Sequence, residues 1–298
     1  MNTTFPPGIE RFLEKPWSEK RLIISRYARQ AWSSALAPLP TIRWMDPGFL
    51  WVVWGDVIRD EILNGNFEIT ERKFVERFLR PGMTVLDIGA YYGLYTLTAS
   101  EKVGNQGRVI AFEPAPFQRK RLRLHLRLNR RKNVRVEEVA LGAVEGEETF
   151  FSVLGESAGF SSLRRPEVGA TVKPIRVPVT TLDNYLRLRS IRTVDLIKID
   201  VEGGELDVFK GGERLLRQEP RPLILCELQD IRTEAWGHKA KDTAAFVESF
   251  GFRWFKPLPD GSIARLLEKP HQYERNFIAI SEERMEQFKE ITKNGCCS

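Results

Sequence analysis

The sequence has 298 residues, of which 42% are apolar and 29% are charged, and its formal net charge is +6. A chain of this length and composition buries a substantial core, which excludes a disordered or fibrous protein. Its three cysteines form no disulfide framework, and residues 1–20 lack the apolar stretch of a signal peptide. No segment has the roughly 18 uninterrupted apolar residues of a membrane span. We therefore expect a cytoplasmic protein with no transmembrane segment.

Residues 1–70 differ in character from the rest of the chain, because they hold five of the seven tryptophans. These are Trp17, Trp32, Trp44, Trp51 and Trp54. Exposed aromatic side chains at this density are a liability for a soluble protein. We therefore predict a helical N-terminal extension that packs onto the main domain, covers its active site or forms a homodimer contact, and of these we favour packing or covering.

Between residues 71 and 285, apolar runs alternate with helical patterns, which predicts a doubly wound α/β domain. The predicted strands are residues 84–88, 108–112, 134–139, 194–199, 222–227, 252–255 and 276–280. The predicted helices are residues 93–103, 116–130, 205–217 and 240–250. Residues 147–179 break this alternation with short β-like pieces, which indicates a β-rich insertion of the kind that often carries substrate specificity. Residues 286–298 are predicted to be a flexible tail.

The sequence VLDIGAYYG at residues 85–93 lies between a predicted strand and a helix. Gly89 permits a tight turn and Gly93 permits a close approach of the helix, so a nucleotide-like ligand fits against this turn. A dinucleotide-binding dehydrogenase needs a glycine at position 91, where this chain has Tyr91. The carboxylate of Asp87 suits the ammonium of a methionyl group better than a pyrophosphate, which favours S-adenosylmethionine as the cofactor.

The second predicted strand ends in AFEP at residues 111–114, about 24 residues after Gly89. Glu113 therefore lies where a carboxylate accepts hydrogen bonds from ribose hydroxyls. The alternative is that Glu113 is a surface acid that caps the next helix.

Much of the positive charge lies in residues 118–132, QRKRLRLHLRLNRRK. Leucines at every second position from 122 to 128 supply helical apolar pairs, so we predict a solvated helix packed on the sheet rather than a docking patch. No Tyr or Phe is interleaved with these charges, and we expect no nucleic-acid partner.

The sequence DLIKIDVEGGE at residues 195–205 predicts a buried strand that ends at Asp200 and passes into a glycine turn. Ligands of open parallel sheets bind outside the carboxyl ends of the strands, so Asp87, Glu113 and Asp200 are expected to converge. Lys198 and Glu202 flank this region in the same interpretation. For Lys198, an ion pair with Asp195 or an outward-facing side chain is an equal alternative.

Together these motifs resemble the FkbM-type S-adenosylmethionine-dependent methyltransferase family. The resemblance spans roughly residues 64–281 and rests on ordered motifs: GNFE at 65–68, DIGAYYGLYTL at 87–97, AFEP at 111–114, TLD at 181–183, DLIKIDVEGGE at 195–205 and ILCE at 224–227. Two positions depart from the family pattern. Tyr91 stands where the family often has Asn, and Gln229 stands where His is common, which removes a candidate base.

The resemblance implies a class I methyltransferase fold, Rossmann-like, with seven strands in the order 3-2-1-4-5-7-6 and the last strand antiparallel. It also implies O-methylation of a hydroxyl on a glycan or a secondary metabolite. The cofactor-binding residues that it implies are Glu68, Asp87, Gly89, Ala90, Tyr92, Gly93, Glu113, Pro114, Ala140 and Asp200. N- or C-methylation, and a catalytically silent module that binds S-adenosylmethionine, are the alternatives.

Methyl transfer to an aliphatic hydroxyl benefits from a nearby base that takes the proton, by a factor of about 10² to 10⁴. The candidates in this sequence are Asp200, Glu202, Glu227 and His238. No cluster of His, Cys and Asp has ligand spacing, so we expect no dedicated metal site. A Mg²⁺ ion bound transiently by Asp200 and Glu227 is the alternative, although nothing in the sequence motivates it.

Overall fold

A mixed β-sheet forms the centre of the fold in the computed structural model, which describes residues 16, 40–55, 58–266 and 270–293. The strands of the described residues are β1 (Thr41–Met45), β2 (Phe49–Val53), β3 (Thr84–Ile88), β4 (Arg108–Phe112), β5 (Val134–Glu137), β6 (Ala140–Leu141), β7 (Gly146–Val153), β8 (Val172–Thr180), β9 (Leu196–Ile199), β10 (Leu223–Gln229), β11 (Phe252–Pro257), β12 (Ile263–Arg265), β13 (Glu274–Ser281) and β14 (Thr292–Lys293). 

Short helices connect these strands. In the described residues they are α1 (Arg59–Asn64), α2 (Ile69–Phe78), α3 (Leu94–Val103), α4 (Pro116–Leu128), α5 (Leu182–Leu188), α6 (Glu205–Lys210), α7 (Glu213–Arg217), α8 (Asp230–Thr233) and α9 (Ala240–Glu248). Three 3-10 helices accompany them, at Gly155–Phe160, Glu234–Trp236 and Glu282–Ile291. In this part of the chain, no helix has the length and apolar character needed to cross a membrane.

The main sheet has the strand order β14-β12-β11-β13-β10-β9-β3-β4-β5. Its seven strands from β11 to β5 reproduce the predicted order 3-2-1-4-5-7-6, and β13 runs antiparallel to both neighbours as predicted. The predicted total of seven strands is wrong, because β12 and β14 extend the sheet to nine. These two strands have only three and two residues, too few to give a periodic pattern in the sequence.

The core occupies both faces of the sheet. In β3, Leu86 and Ile88 belong to the apolar cluster on one face, whereas Val85 belongs to the cluster on the other face. Alternating strand residues point to opposite faces, so a parallel strand that is covered on both sides has a continuous apolar run. Because these strands are buried on both faces, their positions could be predicted from apolar runs in the sequence.

The predicted single helix over residues 205–217 is divided in the structure. Gly211 and Gly212 separate α6 from α7, and a Cβ atom at Gly211 would lie 2.2 Å from the carbonyl oxygen of Gly142. The close backbone contact therefore requires glycine, and it interrupts the helix.

The predicted helical extension needs correction where the structure describes it. Residues 41–53 form an antiparallel hairpin of β1 and β2, which we call the N-terminal hairpin, and only α1 and the start of α2 are helical before residue 71. Its sequences TIRWM and FLWVV are rich in β-branched and aromatic residues, which favour strands. Residues 1–39, apart from Pro16, lie outside the described residues, and so do Trp17 and Trp32.

Two further regions complete the domain. β6, β8 and β7 form a separate three-stranded sheet, which confirms the β-rich insertion. The predicted tail from residue 286 is corrected, because a 3-10 helix continues to residue 291 and β14 pairs with β12. Phe288 of this segment is buried against Phe74 and Phe78, and residues 294–298 lie outside the described residues.

Candidate active site

A cavity of about 300 Å³ lies at the carboxyl ends of the central strands β3, β4, β9 and β10. Six carboxyl side chains and a single lysine line it; they are Glu68, Asp87, Glu113, Asp200, Glu202, Glu227 and Lys198. We call it the acidic cavity. Its remaining walls come from the N-terminal hairpin, the glycine turn after β3, the β-rich insertion and Trp236. The expected convergence of Asp87, Glu113 and Asp200 is therefore present in the geometry.

The glycine turn allows two strand ends to touch. Gly89 has a φ of 80°, and a Cβ atom built on it would lie 1.8 Å from the carbonyl oxygen of Asp200. No other residue fits this turn without moving β9. Gly89 and Ala90 line the acidic cavity, so the turn presents backbone to a ligand at this point.

Gly93 and Tyr92, both predicted to bind the cofactor, do not line the acidic cavity. Gly93 begins α3 with a φ of 94°, and a Cβ atom there would lie 2.3 Å from Cδ1 of Leu122 in α4, so its role is close packing between helices. Tyr92 is buried in the apolar cluster behind the turn. Its neighbour Tyr91 lines the cavity instead.

Asp87 is buried at the end of β3. Its Oδ2 accepts a hydrogen bond of 2.5 Å from the hydroxyl of Thr96. Burial raises the pKa of Asp87, and the nearby charge of Lys198 opposes this shift. The side chain thus faces the cavity as a carboxyl group with spare acceptor capacity.

Glu113, just after β4, accepts hydrogen bonds both from the glycine turn after β3 and from the residue that precedes α4. Its Oε2 accepts a hydrogen bond from the backbone N–H of Tyr91 at 2.8 Å, and its Oε1 accepts one from Ala115 at 2.9 Å. Burial raises its pKa to about 7. Glu113 is buried and lines the cavity beside Pro114 and Ala140, so it is not the surface acid of the alternative interpretation, although it does accept a hydrogen bond from Ala115 at the start of α4.

Lys198 is buried and lines the cavity, so it does not face outward. Its Nζ lies 2.7 Å from Oδ2 of Asp200. Asp195 is engaged elsewhere, because its carboxylate accepts a hydrogen bond from the backbone N–H of Thr84 at 2.8 Å. Burial disfavours the charged form of Asp200, but the ammonium of Lys198, the hydrogen bond with Glu227 and the charge of Arg232 together outweigh burial and lower the pKa of Asp200.

Glu227 and Asp200 share a hydrogen bond. Burial, followed by the negative charge of Asp200, raises the pKa of Glu227 well above its usual value, so Glu227 holds the proton of this pair. Gln229 donates from Nε2 to Oε1 of Glu227 at 2.7 Å. The residue that departs from the family pattern therefore orients Glu227.

Glu202 lies on the opposite side of Asp200, in the turn after β9. Its carboxylate Oε2 is 2.9 Å from Nε of Arg232. Burial, followed by the charge of Asp200, raises the pKa of Glu202 to about 8. Its backbone carbonyl accepts hydrogen bonds from the hydroxyl of Ser162 at 3.1 Å and from the indole of Trp236 at 3.2 Å. Glu202 thus belongs to the part of the cavity formed by the β-rich insertion.

Backbone strain is concentrated at this cavity. Of the five non-glycine residues with positive φ in the described chain, three line the cavity: Glu68 at 46°, Tyr91 at 51° and Glu202 at 59°. Such conformations cost free energy and persist where the surrounding structure enforces them, commonly at functional sites. The strain is consistent with side chains held in place for a ligand.

His238, the fourth predicted base, does not line the acidic cavity. Its Nδ1 lies 3.3 Å from the carbonyl oxygen of Lys239, so its neighbours are in its own loop. Asp200, Glu202 and Glu227 all line the cavity, and each offers an oxygen within 4.8 Å of the others. This group, of which Asp200 and Glu227 were considered as Mg²⁺ ligands from the sequence, has the spacing to hold a metal ion, but Lys198 and Arg232 already pair with two of its carboxylates.

Trp51 belongs to the tryptophan-rich segment that was expected to pack on the domain or cover its active site, and it lines the cavity. Other cavity residues were not predicted individually; they come from distant segments and are Ile58, Phe67, Phe150, Phe160, Leu163 and Trp236, among others. An aromatic or aliphatic residue gives no chemical signal of its own in a sequence, so only the tertiary fold identifies these walls. The insertion was expected to carry specificity, and Phe150, Phe160 and Leu163 belong to it.

The fold and the site define a class I methyltransferase domain, with its ligand cavity at the switch point of a doubly wound sheet. The family model described as "Methyltransferase FkbM domain" matches residues 87–254. The chain therefore belongs to the FkbM methyltransferase family. This membership confirms the predicted family and, for this domain, a methyltransferase class that uses S-adenosylmethionine.

Several proteins are similar to this chain over part of its length. The AMB antimetabolite synthetase AmbE of Pseudomonas aeruginosa is 30% identical over 209 residues, which cover 58% of this chain and 10% of the synthetase. Methyltransferase 1 of Beauveria bassiana is 25% identical over 143 residues, covering 43% of this chain and 57% of its own. A solved FkbM methyltransferase from Methylobacillus flagellatus has a TM-score of 0.43 at 15% identity, covering 75% of this chain and 54% of its own. The chain thus spans less than two thirds of each of these proteins.

Proposed function

We propose that this protein transfers the methyl group of S-adenosylmethionine to a hydroxyl oxygen of a glycan or a secondary metabolite. The observation that carries the proposal is the lining of the acidic cavity, where six carboxyl groups, several of them with raised pKa values, face a single lysine. S-adenosylmethionine has a sulfonium and an ammonium but only one carboxylate, so it complements such a cavity. A pyrophosphate ligand would be repelled by the same groups.

The cavity residues fit the parts of this cofactor. Asp87 and Glu68 supply carboxyl groups for the ammonium, and Glu113 has acceptor capacity for ribose hydroxyls. Gly89 keeps the turn free of a side chain where the nucleoside approaches. Burial raises the pKa of Glu68 to about 7 against the opposing charge of Lys198, and a bound ligand cation would favour its ionised form.

The two sides of Asp200 have different roles in this proposal. On one side, Lys198 interacts with Asp200, Glu68 and Asp87, which places that ion pair at the cofactor end. On the other side, the backbone carbonyl of Glu202 accepts hydrogen bonds from Ser162 of the insertion and from Trp236, and its carboxylate pairs with Arg232, which supports a role for Glu202 at the acceptor end. We assign Glu202 as the group that takes the proton from the acceptor hydroxyl.

S-adenosylmethionine, when bound, supplies an electrophilic methyl group on its sulfonium. The chain has to hold the acceptor oxygen in line with that methyl group and exclude water. The aromatic side chains of Phe160 and Trp236 form the wall beside Glu202, and Arg232 lies 4.3 Å over the ring of Phe160. A rigid aromatic wall next to a base suits a ring-shaped hydroxylated acceptor. The antimetabolite synthetase among the relatives supports a secondary metabolite as the acceptor class.

Calorimetric titration with S-adenosylmethionine and with NAD tests the cofactor, with Glu113→Ala as the paired variant. We expect binding of S-adenosylmethionine alone, weakened in the variant. A panel of hydroxylated acceptors then tests the reaction, with Glu202→Gln as the variant that binds cofactor and turns over slowly. Methyl incorporation at nitrogen or carbon would contradict the oxygen assignment, and binding without turnover on any acceptor would favour the silent module.

A further inference from the structure

The N-terminal hairpin contributes to the acidic cavity although it precedes the family-matched segment. Trp51 of β2 is 2% exposed and lines the cavity, and so does Ile58 just after the hairpin. Trp51 packs in one apolar cluster with Ala90 and Leu94, which belong to the glycine turn and to the start of α3. The hairpin therefore forms the wall that faces the turn.

A single buried histidine joins this hairpin to the turn. His125 in α4 is fully buried, and its ring stacks on the indole of Trp51 with centroids 4.0 Å apart. Its Nε2 accepts a hydrogen bond from the backbone N–H of Val52 at 3.0 Å. Its Nδ1 lies 2.7 Å from the carbonyl oxygen of Tyr92.

These contacts define the tautomer of His125. Because Nε2 accepts from Val52, the proton lies on Nδ1, which donates to the carbonyl oxygen of Tyr92. A neutral imidazole can make both bonds at once, whereas an imidazolium loses the bond from the Val52 N–H and can donate instead only to the Val52 carbonyl oxygen, which lies 3.4 Å from Nε2. The ring therefore links β2 to the residue just before Gly93, with its flat face against Trp51.

We propose that the N-terminal hairpin is a wall of the cofactor site and that His125 is the positioning residue that holds this wall against the glycine turn. The inference rests on the proposed use of S-adenosylmethionine. Asn129, one turn further along α4, supports the same attachment, because it accepts from the backbone N–H of Leu50 at 2.6 Å and donates to its carbonyl oxygen at 2.7 Å. Two side chains of one helix thus fasten the backbone of β2.

The wall is tested by cofactor affinity in two tryptophan variants of the full chain. Trp51→Ala removes the cavity side chain, and we expect the Kd for S-adenosylmethionine to rise roughly tenfold, which is about 1.4 kcal/mol. Trp44→Ala is the matched control, because Trp44 lies in the same hairpin but is 64% exposed and absent from the cavity. Its Kd is expected to equal that of the wild type.

The positioning role is tested by amide hydrogen exchange without ligand. In His125→Gln, the side-chain amide reaches the position of the histidine Nε2, and its oxygen can accept the hydrogen bond from the backbone N–H of Val52. In His125→Asn, the shorter side chain reaches only the position of Nδ1, so the Val52 N–H loses its acceptor. We expect the Val52 amide to exchange roughly tenfold faster in the Asn variant than in the Gln variant, and the Kd for S-adenosylmethionine to follow the same order.

The outcomes separate this inference from the proposed function. A wild-type chain that does not bind S-adenosylmethionine would overturn both. Normal wild-type affinity that is unchanged in Trp51→Ala would overturn the wall alone. Faster exchange at Val52 in the Asn variant, with an affinity equal to that of the Gln variant, would overturn the positioning role of His125.

Discussion

Gly89 and Asp200 are in backbone contact, so the glycine turn and the end of β9 form one rigid unit. A Cβ atom at Gly89 would come within 1.8 Å of the Asp200 carbonyl oxygen, and the φ of 80° disfavours any side chain. We expect Gly89→Ala to destabilise the protein by roughly 2–4 kcal/mol and to lose cofactor binding. Denaturant unfolding and calorimetry measure these effects.

The control for that prediction is Gly169→Ala. Gly169 lies in the insertion, and a Cβ atom there would meet nothing within 4 Å. The variant is expected to unfold at the wild-type denaturant concentration. Equal stability of both alanine variants would show that β9 can move away from the turn.

The proton-acceptor role of Glu202 predicts a pH-dependent rate. A base must be ionised to act, so single-turnover methyl transfer is expected to increase as the pH rises through about 8, the pKa to which burial raises Glu202. Glu202→Gln should lower this rate by about 10² to 10⁴ and remove the pH dependence. Glu147→Gln, an exposed acid of the insertion, is the matched control. If Glu202→Gln kept the wild-type rate and pH dependence, a group other than Glu202 would take the proton of the acceptor hydroxyl.

His125 makes the stability of the protein depend on pH. Burial lowers its pKa in the folded state to about 4, whereas the usual value is 6.5. The unfolded chain binds a proton more readily, so this contribution is complete above pH 6.5 and is lost as the pH falls towards 4, by about 3 kcal/mol in total. The free energy of unfolding of His125→Gln should fall less over this range than that of the wild type. His271→Gln, which changes an exposed histidine, should keep the wild-type slope.

Lys198 offsets the carboxyl groups around it. Lys198→Met leaves Asp200 without its ammonium partner at 2.7 Å, and loss of one partner of a buried pair typically costs about 3–5 kcal/mol. We expect the loss of stability to be greater at neutral pH than at acid pH, where Asp200 can take up a proton. Thermal unfolding at the two pH values checks this, and Lys210→Met, at a more exposed ion pair, should change stability little.

Lys198 and Arg232 also bear on metal binding. Because they already pair with Asp200 and Glu202, we expect a chelator to leave cofactor affinity unchanged and added Mg²⁺ to leave the melting temperature unchanged. A melting temperature that rises with Mg²⁺ and returns to its starting value with chelator would show that the three carboxylates hold a cation.

The sequence was sufficient where one segment alone determines the structure. The strands Thr84–Ile88 and Arg108–Phe112 were predicted to the residue, because a strand buried on both faces is a continuous apolar run bounded by turns. Asp87 and Glu113 could be placed in the site because their position at a strand end fixes where they point. Both the side-chain chemistry of Asp87 and Glu113 and their position at a strand end follow from the neighbouring residues in the sequence.

Other features depend on contacts between distant segments. Tyr91 adopts a positive φ of 51° and lines the cavity, and Tyr92 is buried behind it with the two rings stacked, an arrangement that no regular sequence period indicates. The N-terminal hairpin was predicted to be helical although the β-branched and aromatic residues of its two strands favour strands, and its attachment to α4 depends on a distant segment. Trp51 and His125, 74 positions apart, acquire their roles only through that attachment.

The attachment of β2 to α4 also sets the limits within which the domain can be shortened or transplanted. The family-matched segment starts at residue 87 and carries the turn, the insertion and the carboxyl groups from Asp87 onward. An excised segment of this kind would leave Trp51 and Glu68 behind and expose the stacked face of His125. A catalytic unit cut from this chain therefore has to include the hairpin, and a chimaera that keeps this wall has to be joined before residue 41.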